Sequence, residues 1–150
     1  MTDELDLQIL STLQEGFPIT SRPYQLLGDL LGISESETLG RLERLQEEGL
    51  IRRIGPILDM RRLGCSGVLV ALSVPEEEAD GAAQLVNRYP EVSHNYLRPN
   101  ESGYNLWFTV SAKEKRIKEI LGEIELLSGR KMLVLPTLQI FKIGVKFDIV

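Results

Sequence analysis

Cysteine and histidine each occur once in this 150-residue chain, as Cys65 and His94. One cysteine permits no internal disulfide, and one histidine leaves no closed Cys/His zinc site, so no structural metal is expected. Gly-rich phosphate loops, a Gly-x-Ser-x-Gly elbow and paired metal-carboxylate motifs are missing from any convincing context. No apolar run approaches the length of a membrane span, and the N-terminus lacks a basic flank ahead of an apolar stretch. The expectation is a cytoplasmic chain that neither enters nor crosses a membrane. Cationic excess is absent too: 17 Lys and Arg stand against 22 Asp and Glu, a formal net charge of -5. That balance argues against strong nonspecific attraction to nucleic acid.

With 43% hydrophobic residues, the chain can build one substantial core or two small ones, and its pattern favours two. Asp3 to Glu15 carries Leu5, Ile9, Leu10 and Leu13 at helical spacing and ends at Gly16-Phe17-Pro18. Tyr24 to Leu31 predicts a second helix with Leu26, Leu27, Leu30 and Leu31 inward. After the Gly32-Ile33-Ser34 turn, Ser34 and Glu37 form a capping-box signature for a third helix, which runs to Glu48 and buries Leu39, Leu42 and Leu45. Leu50 to Asp59 reads as a strand pair around Gly55-Pro56, the wing of a winged helix-turn-helix.

The periodicity then changes. Val68 to Val74 forms an apolar strand, and a helix from Pro75 to Arg88 opens on Glu76, Glu77 and Glu78, acids that suit its positive end. Strands over Val92 to Arg98 and Tyr104 to Val110 flank a turn. A helix over Lys113 to Leu127 turns Ile117, Ile120, Leu121, Ile124 and Leu127 inward, and Met132 to Leu135 and Gln139 to Phe147 close the sheet. The chain is therefore predicted to be α+β, with a winged helix-turn-helix over 1–60, a linker over 61–65 and a ferredoxin-like domain over 66–150. One sheet face of that domain is left for water, ligand or partner, and a dimer is the expected state.

A helix-turn-helix that reads DNA presents cations and hydrogen-bonding groups on its third helix. Here Glu35, Glu37, Glu43, Glu47 and Glu48 stand against Arg41 and Arg44, and residues 1–65 hold eleven acids and seven bases, net -4. Cations gather instead at Arg52, Arg53, Arg61 and Arg62, where guanidinium forks suit carboxylates as well as phosphates.

The densest chemistry lies in Ser93-His94-Asn95-Tyr96-Leu97-Arg98, beside Tyr104, Asn105 and Trp107 on the expected hairpin. Histidine, with a reference pKa near ~6.5, holds and releases a proton around neutrality. Alternation puts Tyr104, Leu106 and Phe108 on one strand face and Asn105, Trp107 and Thr109 on the other. It lines His94, Tyr96 and Arg98 along the candidate site only if their strand carries no bulge. Each residue also has a plain structural role open to it. A lone histidine ahead of a strand is ordinarily structural, aromatics fill cores, and Arg22 before Pro23 fixes a turn.

Taken in order, Gly16-Phe17-Pro18-Ile19 with Arg22-Pro23-Tyr24, Ile51-Arg52-Arg53-Ile54-Gly55, His94-Asn95-Tyr96-Leu97-Arg98, Tyr104-Asn105-Leu106-Trp107-Phe108-Thr109 and Phe141-Lys142-Ile143 give the chain its signature. Each motif alone is weak, but together the series resembles the sirohaem decarboxylases, relatives of the Lrp/AsnC transcription factors. The resemblance implies removal of the acetate carboxyl groups at ring positions 12 and 18 of sirohaem, giving didecarboxysirohaem for haem or haem d1 synthesis. It implies a homologous partner subunit, in a heterodimer or a homodimer, with the site in the C-terminal domain near their interface. It implies no cofactor beyond the iron tetrapyrrole that is the substrate.

On that footing His94 is the candidate general acid, a role ordinarily worth about 10²–10⁴-fold in rate. Axial ligation of the substrate iron competes for the same nitrogen. Arg98, Arg22, Arg52 and Arg53 are candidate partners for substrate carboxylates, and Tyr24, Tyr96, Asn105 and Trp107 are candidate contacts to the ring. The alternatives are an amino-acid-responsive Lrp/AsnC-type regulator and a catalytically silent tetrapyrrole-binding subunit. The acidic third helix speaks against the regulator, and DNA is not an expected partner.

Overall fold

In a computed structural model of the chain, residues 2–99, 101–141, 144 and 146–149 are described. The chain forms two compact units, residues 1–57 with 142–150 and residues 58–141.

The first unit holds α1 (Glu4–Glu15), α2 (Pro23–Leu31) and α3 (Glu35–Glu47). Asp3 caps α1 in a reciprocal box: its Oδ1 accepts from the Asp6 amide at 2.8 Å, and Asp6 Oδ2 accepts from the Asp3 amide at 2.9 Å. Pro23 opens α2, where its missing N–H costs nothing. Ser34 Oγ caps α3 by accepting from the Glu37 amide at 3.1 Å. Ile9, Leu27, Leu42, Leu45 and Ile51 form the core. Leu26, Leu30 and Leu39, predicted to face inward, are exposed. Fully buried Thr38 instead closes the turn between α2 and α3, which is so tight that a Cβ on Gly28 would lie 2.7 Å from both Ile33 O and Thr38 Oγ1.

The predicted wing does not form: residues 51–59 carry no strand, and only Ile51 among them is buried. Ile51 is fastened to Leu45 O by its amide at 3.1 Å, but Ile54, Ile57 and Leu58 after it stay exposed rather than packing on a core, and Pro56 offers no N–H to a ladder. Nor is there a strand among the described residues of 139–147. Gln14 instead grips both backbone groups of Phe147, at 2.7 and 3.1 Å, and Lys146 pairs with Glu15 at 2.7 Å. The last stretch therefore groups with the first unit, although the sequence carries the second domain to residue 150. Lys142 and Ile143 of the closing motif lie outside the described residues.

The second unit runs β1 (Ser66–Leu72), a 3₁₀ turn (Glu76–Glu78), α4 (Ala79–Val86), β2 (Val92–Leu97), β3 (Leu106–Ala112), α5 (Glu114–Ser128) and β4 (Met132–Pro136). The helix predicted from Pro75 thus begins as a single tighter turn. The four strands pair antiparallel in the order β2-β3-β1-β4. Val70, Leu72, Leu106, Phe108 and Val110 from one sheet face pack with Val86 of α4 and Ile117, Ile120 and Ile124 of α5. Leu127, predicted inward, is exposed at the end of α5. Among the described residues no helix is long and apolar enough to cross a membrane.

Candidate functional site

The site starts with a fault in β2. Val92 sits opposite Val110, yet His94 sits opposite Thr109, so Ser93 is an extra residue in the ladder. Such a bulge reverses the in-and-out alternation of a strand. Val92 packs against the core and the Asn95 amide turns to Ala83 O and Asn87 Oδ1 at 3.2 and 3.0 Å, while His94 and Tyr96 are exposed. The expectation that only an unbulged strand would line these residues up is corrected: the bulge, placed just before His94, puts them on the open face. In β3 the alternation follows the sequence, with Leu106, Phe108 and Val110 buried and Trp107 and Thr109 half-buried.

Across the open face His94 pairs with Thr109 and Tyr96 with Trp107, and Leu69 of β1 pairs with Thr109 on its other side. These residues, with Arg98 and Pro99, line a cavity of ≈ 450 Å³. That volume falls within the usual range for small-molecule sites. The His94 and Tyr96 rings stack, with centroids 5.9 Å apart and planes at 30°. The Arg98 guanidinium lies 5.1 Å from the Tyr96 ring centre, a cation–π contact that holds its charge at the cavity wall. His94 Nδ1 is 2.9 Å from Ser93 Oγ and 3.4 Å from Thr109 Oγ1. Its Nε2 has no hydrogen-bond partner among the described residues. A ring nitrogen able to carry a proton, a guanidinium and flat aromatic surface therefore meet in one concavity, a set suited to a planar, anionic ligand.

Asn105 does not line this cavity. Its Oδ1 accepts from the Val74 amide at 2.9 Å and its Nδ2 donates to Val74 O at 2.7 Å, so the side chain fastens the start of β3 to the segment after β1. Arg22, Tyr24, Arg52 and Arg53 belong to the first unit. Arg22 pairs with Glu35, Tyr24 meets Phe17 edge-on at 5.6 Å, and Arg52 and Arg53 are exposed.

The electrostatics of α3 are more one-sided than its composition. Arg41 Nη1 reaches Asp3 Oδ2 at 2.8 Å and Asp6 Oδ1 at 2.9 Å, and Arg44 Nη2 grips both oxygens of Asp6 at 2.7 Å. Asp6 is fully buried. Burial pushes its carboxyl up, but hydrogen bonds from Arg44, the Asp3 amide and Arg41 outweigh that and hold it well below the usual carboxylate range. Both arginines of α3 are thus engaged by carboxylates of α1 and its cap.

A family model described as a sirohaem decarboxylase NirDL-like helix-turn-helix domain matches residues 6–52, and one described as an AsnC-like ligand binding domain matches residues 62–142. Over 98% of the chain, the sequence is 42% identical to the "Siroheme decarboxylase NirD subunit" of Stutzerimonas stutzeri, covering 95% of that protein. The chain belongs to the sirohaem decarboxylase family. It is also 41% identical over 98% of its length to the "Siroheme decarboxylase alpha subunit" of Nitratidesulfovibrio vulgaris, covering 83% of it. The crystal structure of the sirohaem decarboxylase NirDL in co-complex with an iron-uroporphyrin III analogue matches 97% of this chain at 31% identity, with a TM-score of 0.68, over 48% of its own chain.

In this sirohaem decarboxylase family member, the structure brings His94, Tyr96, Arg98 and Trp107 together in one unit. Sequence reasoning missed three features of the cavity: Leu69 and Pro99 as walls, and the hydroxyls of Ser93 and Thr109 as partners of the histidine. Leu69 was legible as an open-face position of an alternating strand. The hydroxyl contacts depend on the bulge, for which the residues give no signal.

Proposed function

We propose that this chain is a sirohaem decarboxylase subunit that removes the acetate carboxyl groups at ring positions 12 and 18 of sirohaem, giving didecarboxysirohaem. The carrying observation is the concavity in which the only histidine, a guanidinium and two aromatic rings meet on the open sheet face. Carboxylates of the substrate pair with Arg98, and the ring lies against Tyr96 and Trp107. Cleavage of the bond between methylene carbon and carboxylate releases CO2 and leaves the electron pair on that carbon, delocalised into the macrocycle. One proton then completes a methyl group, and His94 Nε2 delivers it. Leu69, Tyr96 and Trp107 displace water and so weaken solvation of the carboxylate that is lost.

Relatives named as subunits, and a NirDL chain roughly twice as long as this one, support action with a homologous partner subunit. No cofactor beyond the iron tetrapyrrole is required, and the setting is the cytoplasm. The engagement of Arg41 and Arg44 by acids supports a helix-turn-helix that does not bind DNA. Anaerobic incubation with sirohaem, with and without the co-purified partner, is expected to lower the tetrapyrrole's mass by two CO2 molecules. Unchanged mass in both mixtures would overturn the assignment, and specific, salt-dependent retention of duplex DNA would favour regulation instead.

A further inference from the structure

The bulge in β2 brings two hydroxyls to one face of His94. His94 lies opposite Thr109 with the extra residue Ser93 just before it, and Ser93 Oγ is 2.9 Å from Nδ1 and 2.9 Å from Thr109 Oγ1, which is itself 3.4 Å from Nδ1. A ring nitrogen and two hydroxyls thus close a triangle, and Tyr96 stacks on the ring to fix its plane. In a regular strand Ser93 and His94 would point to opposite faces, and no such triangle would exist.

We propose that Ser93 and Thr109 are positioning residues for His94. The proposal rests on the functional reading above and adds what selects the working nitrogen. Ser93 Oγ accepts the Nδ1–H and passes its own hydrogen to Thr109 Oγ1, so the proton at Nδ1 stays held whether or not Nε2 carries one. The tautomer with hydrogen on Nδ1 is the minor one of a free imidazole, and here the hydroxyl chain favours it. Nε2 is then the nitrogen that exchanges its proton with the ligand in the cavity. When the imidazolium gives up the Nε2 proton, neutral His94 is left with the hydrogen bond at Nδ1 unbroken, and neither the ring nor the hydroxyls have to rearrange. A neutral hydroxyl pair does this without placing another anion beside a polycarboxylate substrate.

A single histidine makes the test clean, because one pair of imidazole ¹⁵N resonances reports its tautomer. With the partner subunit bound, above the pH at which the ring loses its charge, the wild-type signals are expected to show hydrogen mainly on Nδ1. Ser93→Ala with Thr109→Val is expected to move it mainly to Nε2. In the same complexes, the double variant is expected to lower kcat by about 10-fold with KM little changed and to shift the pH profile of CO2 release. Restoring Ser93 alone, which returns the acceptor of the Nδ1–H and leaves Thr109→Val in place, is expected to return hydrogen mainly to Nδ1 and to recover most of kcat. A double variant with the wild-type tautomer, or a wild type with hydrogen mainly on Nε2, overturns the positioning role. The tautomer is read without turnover, so a wild-type complex that leaves sirohaem intact sinks the functional reading while the ring measurement still decides this one.

Discussion

Replacing His94 with alanine in the chain bound to its partner subunit is expected to slow CO2 release from sirohaem by about 10²–10⁴-fold, the usual worth of a well-placed general acid. The absorption change on sirohaem binding should survive the substitution. The reason lies in the division of work within the cavity. In the proposed site, binding is assigned to Arg98, held over Tyr96, for charge and to Tyr96 and Trp107 for flat surface, and not mainly to the imidazole. His94 offers one ring nitrogen engaged by hydroxyls and another with no hydrogen-bond partner among the described residues. Anaerobic titration followed by single-turnover mass measurement separates the roles. Loss of the binding spectrum together with turnover would assign Nε2 to the substrate iron instead, and unchanged turnover would remove both roles from His94.

The second large effect concerns the first unit. Asp6→Asn is expected to cost about 2–3 kcal/mol of local stability near neutral pH, at or below the lower end of the range for removing one partner from a buried ion pair. The substitution leaves the Arg41 and Arg44 guanidiniums without the buried carboxylate that joins them. Asp3, Glu37 and Glu48 remain as partial partners, which keeps the cost from rising higher. Because folding holds the Asp6 carboxyl below its ordinary value, its contribution is complete above about pH 4 and is lost only as pH falls through the lowered value. Amide hydrogen exchange across α1 and α3 should therefore show a constant gap between wild type and variant from pH 5 to neutrality. The gap should close only in stronger acid. A variant protected as well as the wild type at neutral pH would show that the Asp3, Glu37 and Glu48 carboxylates hold the arginines by themselves.

Much of this architecture was legible from residue patterns. Helical spacing at Leu5, Ile9, Leu10 and Leu13, the Gly32 turn with the Ser34 cap, and the alternation of Leu106, Phe108 and Val110 all correspond to observed elements. The expectations that failed did so where context outweighs pattern. Gly55-Pro56 has turn chemistry and apolar neighbours, but Ile54, Ile57 and Leu58 stay exposed rather than packing on a core, and no wing forms. Gln139 to Phe147 reads as a strand, yet none forms among its described residues, and Gln14 holds the backbone of Phe147. In the cavity, residue types alone singled out His94, Tyr96, Arg98 and Trp107. Asn105 looked equally suited, and only its two bonds to Val74 reveal its structural role. The bulge at Ser93 is the least legible feature: it depends on cross-strand register, and it decides which face His94 occupies.

The open sheet face of the second unit as the tetrapyrrole's seat is tested most directly through Trp107, the chain's only tryptophan and hence the source of one indole N–H resonance. This chain, isotope-labelled and paired with its unlabelled partner, is titrated with a metal-free, diamagnetic tetrapyrrole bearing the same carboxylates. The macrocycle's ring current is expected to shift the Trp107 indole resonance further than any amide of α3. An indole signal that stays in place while the α3 amides move would contradict the account.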